Sequence, residues 1–260
     1  MVYIWDAERL EEILEGGRTN PLVLSCVNDD ASPPLRERYV VKAKGLPEVT
    51  EATLQNELLG NLLGCELGLT TATPAIINIS DVAAATFNHS LHGRGFQVAA
   101  GLAAGCLYLP GMSSPVPDAP LEDGEIEAAA RLYAFDLFTQ NPDRTTRKPN
   151  CGWSSGRLVA FDFELCFSFT WLITPKGEPW ELRRHGIAEN HLLWPHLRGK
   201  NINWDPIVSA VSRLTEATLD RLIEALPTNW RRTTDRIKVH MRCLAERQNE
   251  LLYELQGSLV

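Results

Sequence analysis

No apolar run in this chain reaches the roughly 20 residues that a membrane-crossing helix needs, so no membrane partner is expected. Basic excess is missing too. The 25 Lys and Arg stand against 33 Asp and Glu, a net charge of -8, which argues against broad nucleic-acid binding because that needs a basic face. A local basic groove for phosphates remains compatible with the balance. No CxxC pair occurs among Cys26, Cys65, Cys106, Cys151, Cys166 and Cys243, most of which sit among apolar neighbours. Free, mostly buried thiols in a reducing cytoplasm are therefore expected, ahead of disulfides or a zinc site. HExxH is absent, and His89, His92, His185, His191 and His196 read as structural or surface residues. The start, MVYIWDAERLEEILEGG, has neither the basic block nor the apolar block of a signal peptide, which again points to the cytoplasm.

What is present is an ordinary globular composition. Hydrophobic residues make up 44% and charged residues 22%, unlike a disordered chain, and 260 residues suffice for one large domain or two packed lobes. Apolar Ile4, Leu10, Ile13 and Leu14 predict a short helix over 5–15, ended by Gly16-Gly17. Strands are expected at 22–27 and 38–44, joined by a long polar loop. Leu54, Leu58, Leu62 and Leu63 predict a helix over 50–67 with Gly68 at its end. A strand over 74–80 precedes an Ala-, His- and Gly-rich connector at 81–95 and a strand-like run at 96–109. The Pro-rich stretch MSSPVPDAPLEDGE reads as a boundary. Beyond it come a helix over 125–139, a polar loop at 141–150 and a hairpin whose second strand carries FDFE at 161–164. Mainly helical sequence follows, including 214–226 and a long final helix over 234–255.

Phosphoryl transfer needs a cation on the phosphates, oxygen ligands for a metal, and a carboxylate to orient the nucleophile. One candidate exists for each task. Lys42 lies in an alternating strand, where it either reaches a nucleotide or is a solvated edge lysine. Glu57, on the following helix beside Leu54 and Leu58, either pairs with Lys42 or faces solvent. Asp143 sits on the loop after an apolar helix, placed to orient an attacking hydroxyl or to make a structural Asx turn. Asn150 offers an amide oxygen, a hard ligand suited to magnesium. Asp162, between Phe161 and Phe163, is costly if unpaired, so a metal, a cationic partner or a buried salt bridge such as one to Arg144 is expected. Glu164 either assists a second metal or pairs with a base.

VVKAKG, LQNELLGNLLGCELGLTTATPAIINI, GLAAGCLYLPG and NPDRTTRKPN with FDFE together resemble the bacterial HipA-like kinases, distant relatives of protein and phosphoinositide kinases. The resemblance implies an α+β, two-lobe protein-kinase-like fold, with a small β-rich lobe over 1–112 and a larger, mainly helical lobe over 113–260. It implies ATP and Mg2+ as cofactors. Lys42 and its supporting Glu57 would serve the phosphates, with Asp143 catalytic and Asn150 and Asp162 on the metal. Leu107 to Leu109 would offer backbone groups to adenine, and residues 16–20 a loop over the phosphates. Lys148 replaces an asparagine before Pro149, and FDFE stands where protein kinases carry DFG. The expected function is transfer of the γ-phosphoryl group to a protein Ser/Thr hydroxyl. The alternatives are a nucleotide-binding pseudokinase or interaction module of a toxin–antitoxin or defence system, and a small-molecule or lipid kinase.

Overall fold

The computed structural model describes residues 2–15, 17–116 and 119–260. Gly16 of the expected phosphate loop and Pro117-Asp118 of the Pro-rich stretch lie outside the described residues. The fold is mixed α+β, β-rich in its N-terminal part and helical in its C-terminal part. Among the described residues, no helix is long and apolar enough to cross a membrane.

Five strands close into a barrel of order β1-β2-β3-β5-β4: β1 (Ile4–Ile13), β2 (Leu22–Asn28), β3 (Leu35–Lys42), β4 (Pro74–Ile79) and β5 (Gly101–Leu107). The helix expected over 5–15 is a strand. It pairs antiparallel with β2 and parallel with β4. Its register slips at Ala7/Arg9 and again at Leu10/Glu12. Each bulge inserts one residue, so the positions that pack on the barrel core are Trp5, Ala7, Leu10 and Ile13. That spacing of two, three and three imitates a helical stripe.

Helix α1 (Glu51–Glu66) begins at Thr50, whose hydroxyl accepts from Thr53 N while Thr53 Oγ1 accepts from Thr50 N. Its apolar positions Leu54, Leu58, Leu59 and Leu63 belong to the same core as Phe135 and Phe138 of α3 (Asp123–Thr139). Its buried polar positions tie distant segments together. Gln55 donates to Thr233 Oγ1 at 2.7 Å, and Asn56 donates to the carbonyls of Glu164 and Cys166 at 3.2 and 2.8 Å. Gly60 is required here: a Cβ on it would lie 2.8 Å from the Cβ of Phe163.

The expected connector at 81–95 contains a helix, α2 (Asp81–Ser90), capped by Ser80 and buried through Phe87 against the barrel core. The hairpin is β6 (Cys151–Ser154) with β7 (Arg157–Ala160), so the strand stops before FDFE. Residues 168–190 hold three short 3-10 turns rather than longer helices. Helices α4 (Trp194–Leu197), α5 (Asp205–Ser212), α6 (Glu216–Glu224), α7 (Thr234–Ala245) and α8 (Gln248–Gly257) complete the core. The expected single helix over 234–255 breaks at Arg247, which leaves helical geometry and lays its guanidinium over the Trp180 ring at 4.6 Å. All six cysteines are free, four of them buried.

Beneath the 3-10 turns, His240 on α7 is buried, stacks on Phe169 at 3.9 Å and donates to the Phe138 carbonyl at 2.8 Å. Burial pushes its pKa down to about 4, and the nearby His185 adds to that. The folded protein therefore holds this imidazole neutral, whereas the unfolded chain protonates it near pH 6.5. Its contribution is complete above pH 6.5 and is lost as the pH falls through about 4, at most about 3 kcal/mol. Urea titrations between pH 7 and 4 should show this slope, and His240→Gln should flatten it. An unchanged slope in the variant would refute the assignment.

Candidate active site

Strand β3 ends at Lys42, and alternation turns this side chain inward, where it is 7% exposed. Its ammonium lies 2.8 Å from Glu57 Oε2, 2.5 Å from Asp162 Oδ1 and 2.9 Å from Glu164 Oε2. The solvated-lysine reading is excluded. Lys44, one alternation further, takes the surface role and pairs with Glu51 at 2.7 Å. Glu57 also accepts from the backbone N of Phe163 at 3.1 Å, so α1 grips both the lysine and the FDFE turn.

Asp162 is not in a strand. It sits in the left-handed region at φ 60, which swings its carboxylate towards Lys42. Gln140, Asn150 and Phe167 adopt the same unusual conformation, so the two segments that build the site carry four such residues. Burial of Asp162 opposes its charge most strongly, but the Lys42 charge and hydrogen bond overcome this and hold its pKa below the usual carboxylate value. Lys42 shows the converse. Burial works against its charge, and Asp162, Glu57 and Glu164 together raise its pKa well above the usual value. Glu57 is shifted up, chiefly by burial and against the pull of Lys42.

The loop after α3 is organised by a different ion pair. Arg144, fully buried, donates through Nε to Asp136 Oδ2 at 2.5 Å and through Nη1 to the carbonyls of Asn150 and Phe161. Asp136 also accepts from Asn141 Nδ2 and His191 Nε2, each at 2.9 Å. His191 Nδ1 in turn accepts from Leu193 N at 3.1 Å, which fixes the neutral tautomer, and burial lowers its pKa accordingly. Arg144 therefore anchors the end of the loop and the start of FDFE at once. The expected Arg144–Asp162 bridge is not formed.

On that frame, Asp143 receives Asn150 Nδ2 at 3.1 Å and Lys148 Nζ at 3.2 Å. The Asx turn belongs to Asn141, whose Oδ1 accepts from Asp143 N, so the Asp143 carboxylate is spared that role. Lys148 points at Asp143 rather than away from the loop. Asn150 gives its amide nitrogen to Asp143, which directs its oxygen elsewhere.

Between β3, β5 and FDFE lies a mainly apolar cavity of about 270 Å3, walled by Val40, Ala72, Cys106, Leu107, Leu109 and Met112. Lys42, Glu57 and Asp162 close one end. An apolar slot with a few converging charges is the usual form of a small-molecule site. Roomier clefts lie elsewhere, among them two of about 490 and 590 Å3, whose charged lining residues such as Glu127 and Arg131 or Asp235 and Arg236 do not include the Lys42 cluster. Leu107 N donates to Thr73 O and Tyr108 N to Arg38 O, so the backbone groups offered at this edge are the Leu107 and Tyr108 carbonyls and Leu109. Of the expected phosphate loop, Thr19 is buried and Arg18 pairs with Glu48 at 3.2 Å.

The structure thus joins Lys42, Glu57 and Asp162 directly, and Asp143 with Asn150. Phe161 N donates to Asn150 O at 3.1 Å and links the two groups. Glu164, read as assisting a second metal or pairing with a base, lies against Lys42. His191, read only as structural or surface, is structural, and Asp136 was not singled out in the sequence.

The family model described as HipA-like kinase matches residues 9–257. The chain belongs to the HipA-like kinase family. No curated protein matches this HipA-like chain. Among solved structures, it is similar to the Helicobacter pylori proinflammatory kinase CtkA at 12% identity, with 96% of this chain and 99% of that chain covered and a TM-score of 0.49. The complex of Neurospora crassa PAN2 with PAN3 (pseudokinase and C-terminal region) also matches, at 10% identity, 97% and 66% coverage and a TM-score of 0.33.

Proposed function

We propose that this HipA-like chain is an ATP- and Mg2+-dependent kinase that transfers the γ-phosphoryl group to a protein Ser/Thr hydroxyl. In this reading it has two lobes, residues 1–112 and 113–260, with the nucleotide between them. The observation that carries it is the buried Lys42–Glu57–Asp162 cluster at the end of an apolar slot.

Adenine enters the slot, donates to the Leu107 carbonyl and meets the backbone at Leu109. Lys42, steadied by Glu57, turns to the α- and β-phosphates. The donor set suits magnesium: Asp162 and Asn150 supply hard oxygens, and the buried Glu164 Oε2 has no hydrogen bond of its own. When bound, the ion neutralises the phosphate oxygens. Asp143 orients the acceptor hydroxyl, while Asn150 and Lys148 hold the carboxylate in place. The acceptor oxygen bonds to the γ-phosphorus as the bond to the β-phosphate oxygen breaks, and the hydroxyl proton passes towards Asp143.

Because the transition state is loose, a carboxylate that chiefly orients the nucleophile contributes at the lower end of general-base effects, about a hundredfold. Asp143→Ala should therefore lower transfer from radiolabelled ATP about a hundredfold with ATP affinity retained. Undiminished turnover would remove Asp143 from the mechanism. One observation favours a second reading, a nucleotide-binding interaction module: Lys148 neutralises Asp143 directly. ATP binding without transfer to the protein itself, to water or to lysate proteins would favour that module. Phosphosites on lysate proteins, mapped by mass spectrometry, separate a protein kinase from a metabolite kinase.

A further inference from the structure

The charges around Lys42 do not balance. One ammonium faces Glu57, Asp162 and Glu164, leaving two negative charges over. The Glu57 and Glu164 side chains are only 7% and 9% exposed, so water does little to screen them. The nearby cations are committed elsewhere, Arg144 to Asp136 and Lys148 to Asp143. One oxygen from each of the three carboxylates lies within 4.8 Å of the others.

Glu164 is the member without a settled task. Its Oε2 is buried and close to Lys42 Nζ, yet out of line for an N–H···O bond, so it has no hydrogen-bond partner. Its position is built rather than incidental. Asn56 Nδ2 holds the carbonyls of Glu164 and Cys166, and Phe163 N is held by Glu57. The turn that presents Asp162 also presents Glu164 to the same point.

We propose that Glu164 is a ligand of a second divalent cation, shared with Asp162 and taken up when Lys42 turns to the phosphates. The inference rests on the kinase reading above. While Lys42 stays in the cluster, its ammonium fills the place. Once it leaves, Asp162 and Glu164 face one another without a cation, and an unpaired carboxylate as buried as that of Glu164 is costly. One divalent ion restores neutrality. Two oxygens bound to Mg2+ at about 2.0–2.1 Å stand at most about 4.2 Å apart, and the oxygens of this cluster, within 4.8 Å of one another, reach that spacing with at most a small side-chain shift.

Mn2+ binding tests this without reference to turnover. In the presence of a non-hydrolysable ATP analogue, electron paramagnetic resonance should count about two Mn2+ per wild-type chain and about one in Glu164→Gln. Glu164→Gln keeps the side-chain volume, and a thermal melt checks its fold. Equal counts in the two proteins overturn the role of Glu164 and leave the kinase reading intact. A wild-type chain that binds neither Mn2+ nor the analogue overturns both. A second variant gives an independent result. Lys42→Met removes the resident ammonium and should bind Mn2+ without nucleotide, seen as a rise in melting temperature. Adding Glu164→Gln should weaken that binding at least about tenfold. A folded Lys42→Met protein that ignores Mn2+ contradicts the proposal.

Discussion

Asp162→Asn is expected to lower phosphoryl transfer at least about a thousandfold while leaving the melting transition nearly unmoved. The rate argument is electrostatic. In the proposed mechanism the Asp162 carboxylate would face the metal and phosphates in a site that bound nucleotide closes to water, where one well-placed charge is worth several kcal/mol of barrier. Asparagine keeps the shape and loses the charge. It also tolerates the left-handed conformation that Asp162 adopts at φ 60, so the turn need not rearrange. Stability should hold because the Asp162 side chain is 29% exposed and Lys42 keeps Glu57 and Glu164 as partners. Transfer of label from γ-labelled ATP measures the first effect and calorimetry the second. Near-normal transfer in a folded variant would overturn the assignment of Asp162.

Arg144→Met should act in the opposite way, on stability before chemistry. Breaking a buried pair from one side typically costs about 3–5 kcal/mol, because the remaining charge stays buried and uncompensated. Here the stranded group is Asp136, which is fully buried and keeps only Asn141 and His191. The carbonyl of Asn150 loses its guanidinium donor as well, and that of Phe161 a more distant one. Urea denaturation at pH 7 gives the magnitude. A loss below about 1 kcal/mol would mean the network is dispensable. The double variant Arg144→Met with Asp136→Leu should recover part of the loss, since an apolar pair leaves no orphaned charge.

Which residues were legible in the sequence follows from how far each interaction reaches. Lys42 and Glu57 lie on consecutive elements, so strand alternation and helix facing were enough to suggest their pairing. The Asp136–Arg144–His191 frame was not legible. His191 joins Asp136 across 55 positions, through a segment of 3-10 turns that carries no periodic pattern. FDFE read as a strand because Phe161 and Phe163 flank an acidic residue in alternation, yet β7 ends at Ala160 and the chain turns at Asp162. Strand β1 was missed for the reason its bulges show: two inserted residues convert a period of two into a false helical stripe. Helix α2 was hidden by its Ala-rich composition, with Ser80 as the one readable start signal.

Closure of the barrel bears on how partners are recognised. Strand β1 is hydrogen-bonded to β2 over Asp6–Ile13 on one side and to β4 over Ile4–Asp6 on the other, so the barrel closes at that seam while Ala7–Ile13 has a strand partner on one side only. Even the small β6–β7 hairpin is flanked, by bridges from Ser113 to Trp153 and from Thr71 to Ala160. At that seam an incoming polypeptide cannot extend the barrel by adding a strand, and the same closure protects the chain from edge-to-edge self-association there. Under the proposed kinase function, a protein acceptor at this seam would instead be held by side chains and loops. Sequence preference should then reside in the surface around the cleft, leaving the barrel free to diverge so long as Lys42 keeps its place.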